Sequence, residues 1–270
     1  MSDCIIPEIK ESEDEIIAIR RHLHANPELS LEEFNTSNLV ARQLEGWGYQ
    51  VTREIGKTGV VGSLSKGQGS KSIGLRADMD ALPIFEATNL PWASTVPGKM
   101  HACGHDGHTA ILLAAAKYIA SDACQFNGTV HLIFQPAEEA IGGADLMIKD
   151  GLFDRFPCDR IFALHNMPYL PTGKFGFYEG NFMASADTVK ITLQGYGGHG
   201  AHPERTVDPI VTGAALIMSL QSIVARNVPP GETAVVTVGT FQAGIASNVI
   251  PDSAVMELTV RSMKPEIRDL

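Results

Sequence analysis

Cysteine is sparse in this chain, basic residues are outnumbered, and long apolar runs are missing. Four cysteines (Cys4, Cys103, Cys124 and Cys158) are spread over 270 residues. Disulfide scaffolds are small and cysteine-dense, so reduced thiols in a cytoplasmic setting are expected here. No segment reads as the ~20 consecutive apolar residues that a bilayer crossing requires. The N-terminal MSDCIIPEIKESEDEII has neither a basic nor an apolar signal region, so no export signal and no membrane association are expected. Lys and Arg number 21 against 31 Asp and Glu, for a net charge of −10. The basic residues form no stripe, which argues against a general nucleic-acid binder. No repeat or low-complexity tract appears. The bulk composition, 44% hydrophobic and 19% charged, is that of a globular protein of one large domain or two smaller ones.

Against that background two stretches stand out, HACGHDGH at 101–108 and QPAEE at 135–139. Together they supply one thiol, three imidazoles and three carboxylates, beside glycines that let the backbone turn tightly. Cys, His and Glu form a donor set suited to Zn²⁺ or a neighbouring first-row divalent ion. A spare carboxylate next to a ligand carboxylate is what metal-assisted hydrolysis needs as a proton carrier.

The periodicity places these motifs. Ile9, Ile16, Ile19 and Leu23 fall at near-helical spacing, so one helix is expected over 8–24, ending before Pro27. A second is expected over 30–45, with Ser30 as N-cap, Glu33 at the capping-box position, and Gly46 and Gly48 as stops. Runs at 59–65 and 72–77 read as strands, 104–120 as a helix, 128–135 as a buried strand, 142–150 as a helix and 160–165 as a strand. Strands alternating with helices imply an α/β fold with a mostly parallel sheet. Beyond residue 184 the pattern becomes strand (186–198), long helix (208–227), strand (233–242) and strand (253–262). That is a smaller α+β unit with antiparallel strands, so the expected division is 1–183 and 184–270.

Ligand chemistry in open α/β sheets gathers beyond the carboxyl ends of strands. RADMDALP (76–83), QPAEE and LHN (164–166) all follow expected strands, and HACGHDGH leads into a helix. Cys103 and His105 flank one glycine and can turn toward one ion; singly, each reads as a buried small hydrophobe or a helix-start histidine. Adjacent Glu138 and Glu139 repel unless a cation or proton is present, although acids at a helix N-terminus are also ordinary. His165 ends an apolar strand and is the third-segment ligand candidate. Asp78 and Asp80 can orient a ligand ring, or cap a turn before Pro83. His108 reads as a supporting or helix-face residue and His101 as loop chemistry of unassigned purpose. His22, His24 and His131 read as structural or surface residues. In GYGGHGAHPE (195–204), His199 and His202 sit in a glycine-rich loop that can equally be a hairpin; Arg226 and Asn248 are unremarkable singly.

Taken as a set, RADMDALP, MHACGHDGHT, FQPAEE, LHN, GGHGAHP…DPI and NVIPD resemble the hippurate hydrolase and N-acyl-amino-acid amidohydrolase branch of the aminoacylase–carboxypeptidase G metallopeptidase family, from about residue 15 to the end of the chain. The resemblance implies an α/β catalytic domain with two divalent ions, Mn or Zn first and Co or Ni next, and an inserted lid domain that forms a homodimer. It makes Cys103, His105, Glu139 and His165 the metal ligands, Glu138 the general base and Asp78 the supporting acid. It also implies that His199 steadies the oxyanion across the dimer, and that Arg226 and Asn248 meet the carboxylate end of an N-acyl amino acid. Members of that family continue for roughly a hundred more residues and supply one more ligand histidine. A C-terminally truncated member is therefore expected, with a weakened second metal position and an exposed sheet edge. Dipeptidase or other deacetylase activity, an inactive fragment that only binds metal or dimerises, and a purely structural α/β protein are the alternatives.

Overall fold

A computed structural model describes residues 5–140 and 142–270, so Cys4 lies outside the described residues. The chain divides into two compact units, one ending at Tyr169 and the other spanning Leu170–Leu270.

The first unit opens with helices α1 (Pro7–Glu11), α2 (Glu13–Ala25) and α3 (Phe34–Gly46). The expected single helix over 8–24 is broken at Ser12, whose hydroxyl donates back to the Ile9 carbonyl (3.0 Å) and competes with the helical ladder. The expected capping box at Ser30 is also absent. Leu31 takes a positive φ of 63°, and Ser30 donates instead to Asp80 Oδ2 at 2.7 Å. Glu33 is fully buried and accepts from Thr58 Oγ1 (2.6 Å) and from the Ala137 N–H (2.8 Å). The chain therefore uses both residues for long-range ties, and α3 starts only at Phe34.

Strands β1 (Gln50–Ile55), β2 (Gly59–Lys66) and β3 (Ser72–Asp78) follow, then α4 (His105–Ala120), β4 (Gly128–Gln135), α5 (Gly143–Lys149), α6 (Leu152–Arg155) and β5 (Arg160–Ala163). The sheet order is β1-β2-β4-β3-β5. β3 runs parallel to both β4 and β5, and β2 is antiparallel to both of its neighbours. This is the mixed α/β arrangement with a mainly parallel centre. β4 is buried on both faces, as its apolar run requires of a central strand. β1 carries Arg53 and Glu54 on the sheet edge, so its sequence has no apolar alternation to betray it. Phe134 and Leu132 of β4, Val60 of β2, Leu44 of α3 and Leu113 of α4 are fully buried and form the core between sheet and helices. β5 is the opposite edge; Ile161 and Phe162 are exposed on it.

In the second unit, β6 (Ser185–Gln194) is followed by β7 (Gly198–His199), a 3₁₀ turn at Pro203–Arg205, α7 (Pro209–Ser222), a π-helical turn at Ile223–Asn227, β8 (Ala234–Ala243), β9 (Val249–Ile250), β10 (Ser253–Ser262) and α8 (Pro265–Arg268). β6, β10 and β8 form an antiparallel sheet in that order, and β7 pairs with β9. Asp208 caps α7 by accepting from the Ile210 N–H (2.8 Å), with Pro209 at the first helical position. Gly213 lets the helix settle onto the sheet, since a Cβ there would come within 2.4 Å of the Phe241 ring. Counted with its π turn, Pro209–Asn227 is 19 residues at mean hydropathy 1.4, long and apolar enough by composition to cross a bilayer. That corrects the expectation of no such segment. Scattered Ser, Thr and Gln interrupt the run but leave its average at 1.4, and one side of the helix covers the β6-β10-β8 sheet.

Candidate metal centre

Register brings the motifs to one end of the first unit's sheet. Asp78 pairs with Gln135 across β3 and β4, and Arg76 with Ala163 across β3 and β5. RADMDALP, QPAEE and LHN therefore all leave the sheet at the carboxyl ends of parallel strands. The start of α4 adds the fourth segment, with Gly104 preceding it at φ 88°.

His105 is the hub. Its buried Nδ1–H donates to Asp80 Oδ1 (3.2 Å), which leaves Nε2 as the lone-pair nitrogen. Around Nε2 lie Asp78 Oδ2 (3.7 Å), Glu139 Oε1 (3.7 Å) and Glu138 Oε2 (4.0 Å). His165 is oriented in the same sense. Its Nδ1–H donates to the Asn166 carbonyl (2.7 Å), and its Nε2 lies 3.4 Å from Cys103 Sγ. Donor atoms of Cys103, His105 and His165 lie within 4.8 Å of one another, as do those of His105, Glu138 and Glu139 and those of Asp78, His105 and His108. The structure thus brings together Cys103, His105, Glu139 and His165, with Glu138 alongside.

The donor chemistry fits a divalent cation. His105 Nε2 and Glu139 Oε1 are buried and have no hydrogen-bond partner, which is costly unless something else engages them. The charges are frustrated in the same way. Burial pushes the Cys103 thiol up to about 12, with Glu139 and Glu138 adding to the rise. Glu138 is raised by burial and by Glu139, and burial's opposition to charge on His105 is outweighed by Asp80 and Asp78, so that ring is raised. A Cys103 thiol and a Glu138 carboxyl that both resist ionisation in this setting are a set that a cation would relieve.

The two aspartates divide the supporting work. Asp80, not Asp78, holds the far side of the His105 ring; it also accepts from Ser30 and from the Glu139 N–H (3.0 Å). Burial opposes its charge, but His105 and the backbone donors win and lower it. Asp78 accepts from Arg76 (2.7 Å) and from His108 Nδ1–H (2.6 Å). These contacts overcome burial and bring Asp78 to about 2.

Some contributors carry no local signal in sequence. Glu33 fixes Ala137, which sits at φ 49°, from 104 positions away and so shapes the QPAEE turn. His24, read as structural or surface, is buried between Asp106 Oδ2 (2.9 Å) and Glu86 Oε1 (3.2 Å) and ties the long 79–104 loop to α4. His101 is buried with neither ring nitrogen bonded, and burial lowers it to about 4. His131 pairs with Ser63 within the sheet (2.8 Å).

In the second unit, His199 pairs with Val249, and the next residue's N–H donates to the Asn248 carbonyl (2.8 Å), so His199 and Asn248 are neighbours. His199 Nδ1 accepts from the Ala201 N–H (3.1 Å), making its exposed Nε2 the N–H donor. Arg226 is not with them. It lies in the π turn beyond the 14-residue α7, roughly 20 Å along the helix.

Comparison with known proteins places this geometry. The chain is 53% identical to the hippurate hydrolase of Campylobacter jejuni over 266 residues, 98% of this chain and 69% of that protein. It is 45% identical to the N-acetyl-L-cysteine deacetylase of Bacillus subtilis, covering 95% of this chain and 61% of that one. It therefore spans about two thirds of the length of these relatives. Among solved structures, a putative aminohydrolase from methicillin-resistant Staphylococcus aureus superposes with a TM-score of 0.88 at 38% identity, covering 100% of this chain and 72% of that one. The Bacillus subtilis YXEP protein, a dinuclear metal-binding peptidase, gives 0.76 at 39% identity over 96% of this chain and 67% of its own. The model of peptidase family M20/M25/M40 matches residues 74–265, a span that holds every residue of the centre, and the chain belongs to that family of hydrolases.

Proposed function

We propose that this protein is a metal-dependent amidohydrolase that cleaves the amide bond of N-acyl amino acids, with hippurate-like compounds as the first substrate class. The observation that carries the reading is the buried, unpartnered His105 Nε2, ringed by carboxylates and set beside Cys103 and His165. The names of relatives at 53% and 45% identity supply the substrate class.

Cys103, His105, Glu139 and His165 would hold two divalent ions; Zn or Mn suits the mixed thiolate, imidazole and carboxylate set, with Co or Ni next. When bound, such ions supply Lewis-acid polarisation of the amide carbonyl and acidification of water. The chain's own residues do the rest. Glu138 lies within 4.0 Å of His105 Nε2 yet has a partly exposed side chain, so it can reach an attacking water and pass the proton to the leaving amine. Asp80 holds the His105 ring so that its lone pair faces the carboxylates. Across the proposed dimer, His199 offers its Nε2–H to the developing oxyanion and Asn248 a donor to the substrate carboxylate; Arg226, roughly 20 Å away along α7, does not share that carboxylate with Asn248.

We further propose a homodimer formed through the second unit, because the apolar side chains of Val211 and Met218, two turns apart on α7, are 66% and 72% exposed. A cytoplasmic setting agrees with Cys103, Cys124 and Cys158 being free thiols.

The decisive assay incubates the metal-loaded chain with N-benzoylglycine and follows glycine release. Metal-dependent release that Glu138→Gln abolishes supports the reading. A folded, metal-loaded chain that leaves both N-benzoyl and N-acetyl amino acids intact overturns it. Faster turnover of N-acetyl than of N-benzoyl substrates would move the preferred class toward the deacetylases.

A further inference from the structure

His108 is buried, sits one turn into α4 and touches the proposed ligand set without belonging to it. Its Nδ1–H donates to Asp78 Oδ1 at 2.6 Å. Its Nε2 receives the Asn166 backbone N–H at 2.9 Å. A backbone N–H can only donate, so Nε2 is the acceptor and the ring is neutral with its proton on Nδ1. The Asn166 side-chain amide also closes on Nε2, at 2.5 Å. With Nε2 accepting, that amide turns its NH2 end toward the ring, the two ends being alike in shape. Both nitrogens of His108 are therefore committed, whereas Nε2 of the neighbouring His105 has no partner.

The segment that His108 holds is the one that most needs holding. β5 is only four residues long and every residue in it is exposed. His165 follows it by two positions, outside any ladder. What fixes the backbone there is the Asn166 N–H on His108. A second feature forms the other wall of the same slot: a Cβ at Gly104 would lie 2.7–2.9 Å from the Asn166 amide atoms. The absence of a side chain at Gly104 thus makes room for Asn166. The rings of His108 and His165 also meet edge to face, with centroids 4.6 Å apart.

We propose that His108 is a positioning residue: by seating Asn166 in the slot it shares with Gly104, it aims His165 at Cys103, and so sets the geometry of the cation site without ligating the ion. The inference rests on the metal reading given above. Its consequence is that His108 acts on the ion only through His165.

The test is a Co²⁺ titration of the full chain, read by the thiolate-to-Co²⁺ absorption of Cys103 and by competition with a chelator, with circular-dichroism melting of every variant. His108→Ala is expected to weaken Co²⁺ by about 10- to 100-fold, the usual effect of losing a residue that orients a ligand. In a His165→Ala background the same change is expected to cost less than about 2-fold, because the two residues act as one unit. His108→Gln places an acceptor where Nε2 was and should keep most of the affinity. His108→Asn, which reaches only the Nδ1 position, should not. Equal losses in both backgrounds, no loss in either, or Asn matching or exceeding Gln overturns the proposal. Should His108→Ala fail to fold, the Gln and Asn pair decides by the same ordering. A folded, unmodified chain that binds no Co²⁺ sinks the metal reading and this inference with it; tight Co²⁺ binding that ignores His108 sinks this inference alone.

Discussion

His105 and Asp80 are joined by a buried hydrogen bond from Nδ1–H to Oδ1, 3.2 Å long, and that bond turns the opposite nitrogen toward three carboxylates. The same pair explains why a short turn after β3 is tied on both sides, since Asp80 also accepts from Ser30 and from the Glu139 N–H. The ring, the QPAEE turn and the 26–33 loop share one carboxylate.

Asp80→Asn should therefore disturb the metal site without emptying the pocket. An amide can donate to Nδ1, which would move the ring proton to Nε2 and occupy the lone pair meant for the ion. Divalent-ion affinity is expected to fall about 10- to 100-fold. Isothermal titration with Zn²⁺ reads this directly, and unchanged affinity would show that Asp80 does not set the tautomer.

Glu138→Gln separates proton transfer from binding. The amide keeps the size of the side chain but carries no exchangeable charge, so kcat on N-benzoylglycine should drop by roughly 10²- to 10⁴-fold while bound metal is retained. Metal analysis beside steady-state kinetics checks both halves. A proportional loss of metal and activity would make Glu138 a ligand instead.

Asp78 carries a pH signature. Its folded carboxyl lies at about 2, below the ordinary 3.8, after the His108 and Arg76 contacts overcome burial. A lowered carboxylate stabilises the fold above its unfolded value and loses that contribution as pH falls through the folded one. The metal-free chain should thus lose on the order of 2 kcal/mol from this group between about pH 4 and pH 2. Urea melts across that window should be steep for the unchanged chain and flatter for Asp78→Asn; parallel profiles would contradict the assignment.

Gly104→Ala should cost more than the loss of a flexible residue. The position has φ 88°, and the added Cβ would press on the Asn166 amide at 2.7 Å. A loss of about 1–3 kcal/mol in stability is expected from the backbone strain, together with weaker Co²⁺ binding through His165. Thermal melting and metal titration on one sample measure the two effects.

Much of the architecture was legible in order. The strand over 128–135, the helix over 104–120 and the change to antiparallel strands after 184 follow from apolar runs and alternation, which are local signals. Features governed by distant partners were not legible. Ser30 and Glu33 have the spacing of a helix start, yet each is claimed by a residue more than 20 positions away, Asp80 and Thr58 respectively. β1 was hidden because an edge strand bearing Arg53 and Glu54 needs no apolar face.

The sequence by itself determined the donor inventory and the segments that carry it: Cys103, His105, Glu138, Glu139 and His165 could be named as candidates because their motifs occur together, and the family resemblance of that set gave them roles. Only the tertiary structure decided what each neighbour does. Asp80 rather than Asp78 steadies His105, His108 seats Asn166, and Glu33 shapes the QPAEE turn from a distance. The physical reason is that a hydrogen bond is chosen by proximity and direction to within a few tenths of an ångström. Proximity among residues 25 to 104 positions apart exists only once the sheet has aligned its strand ends.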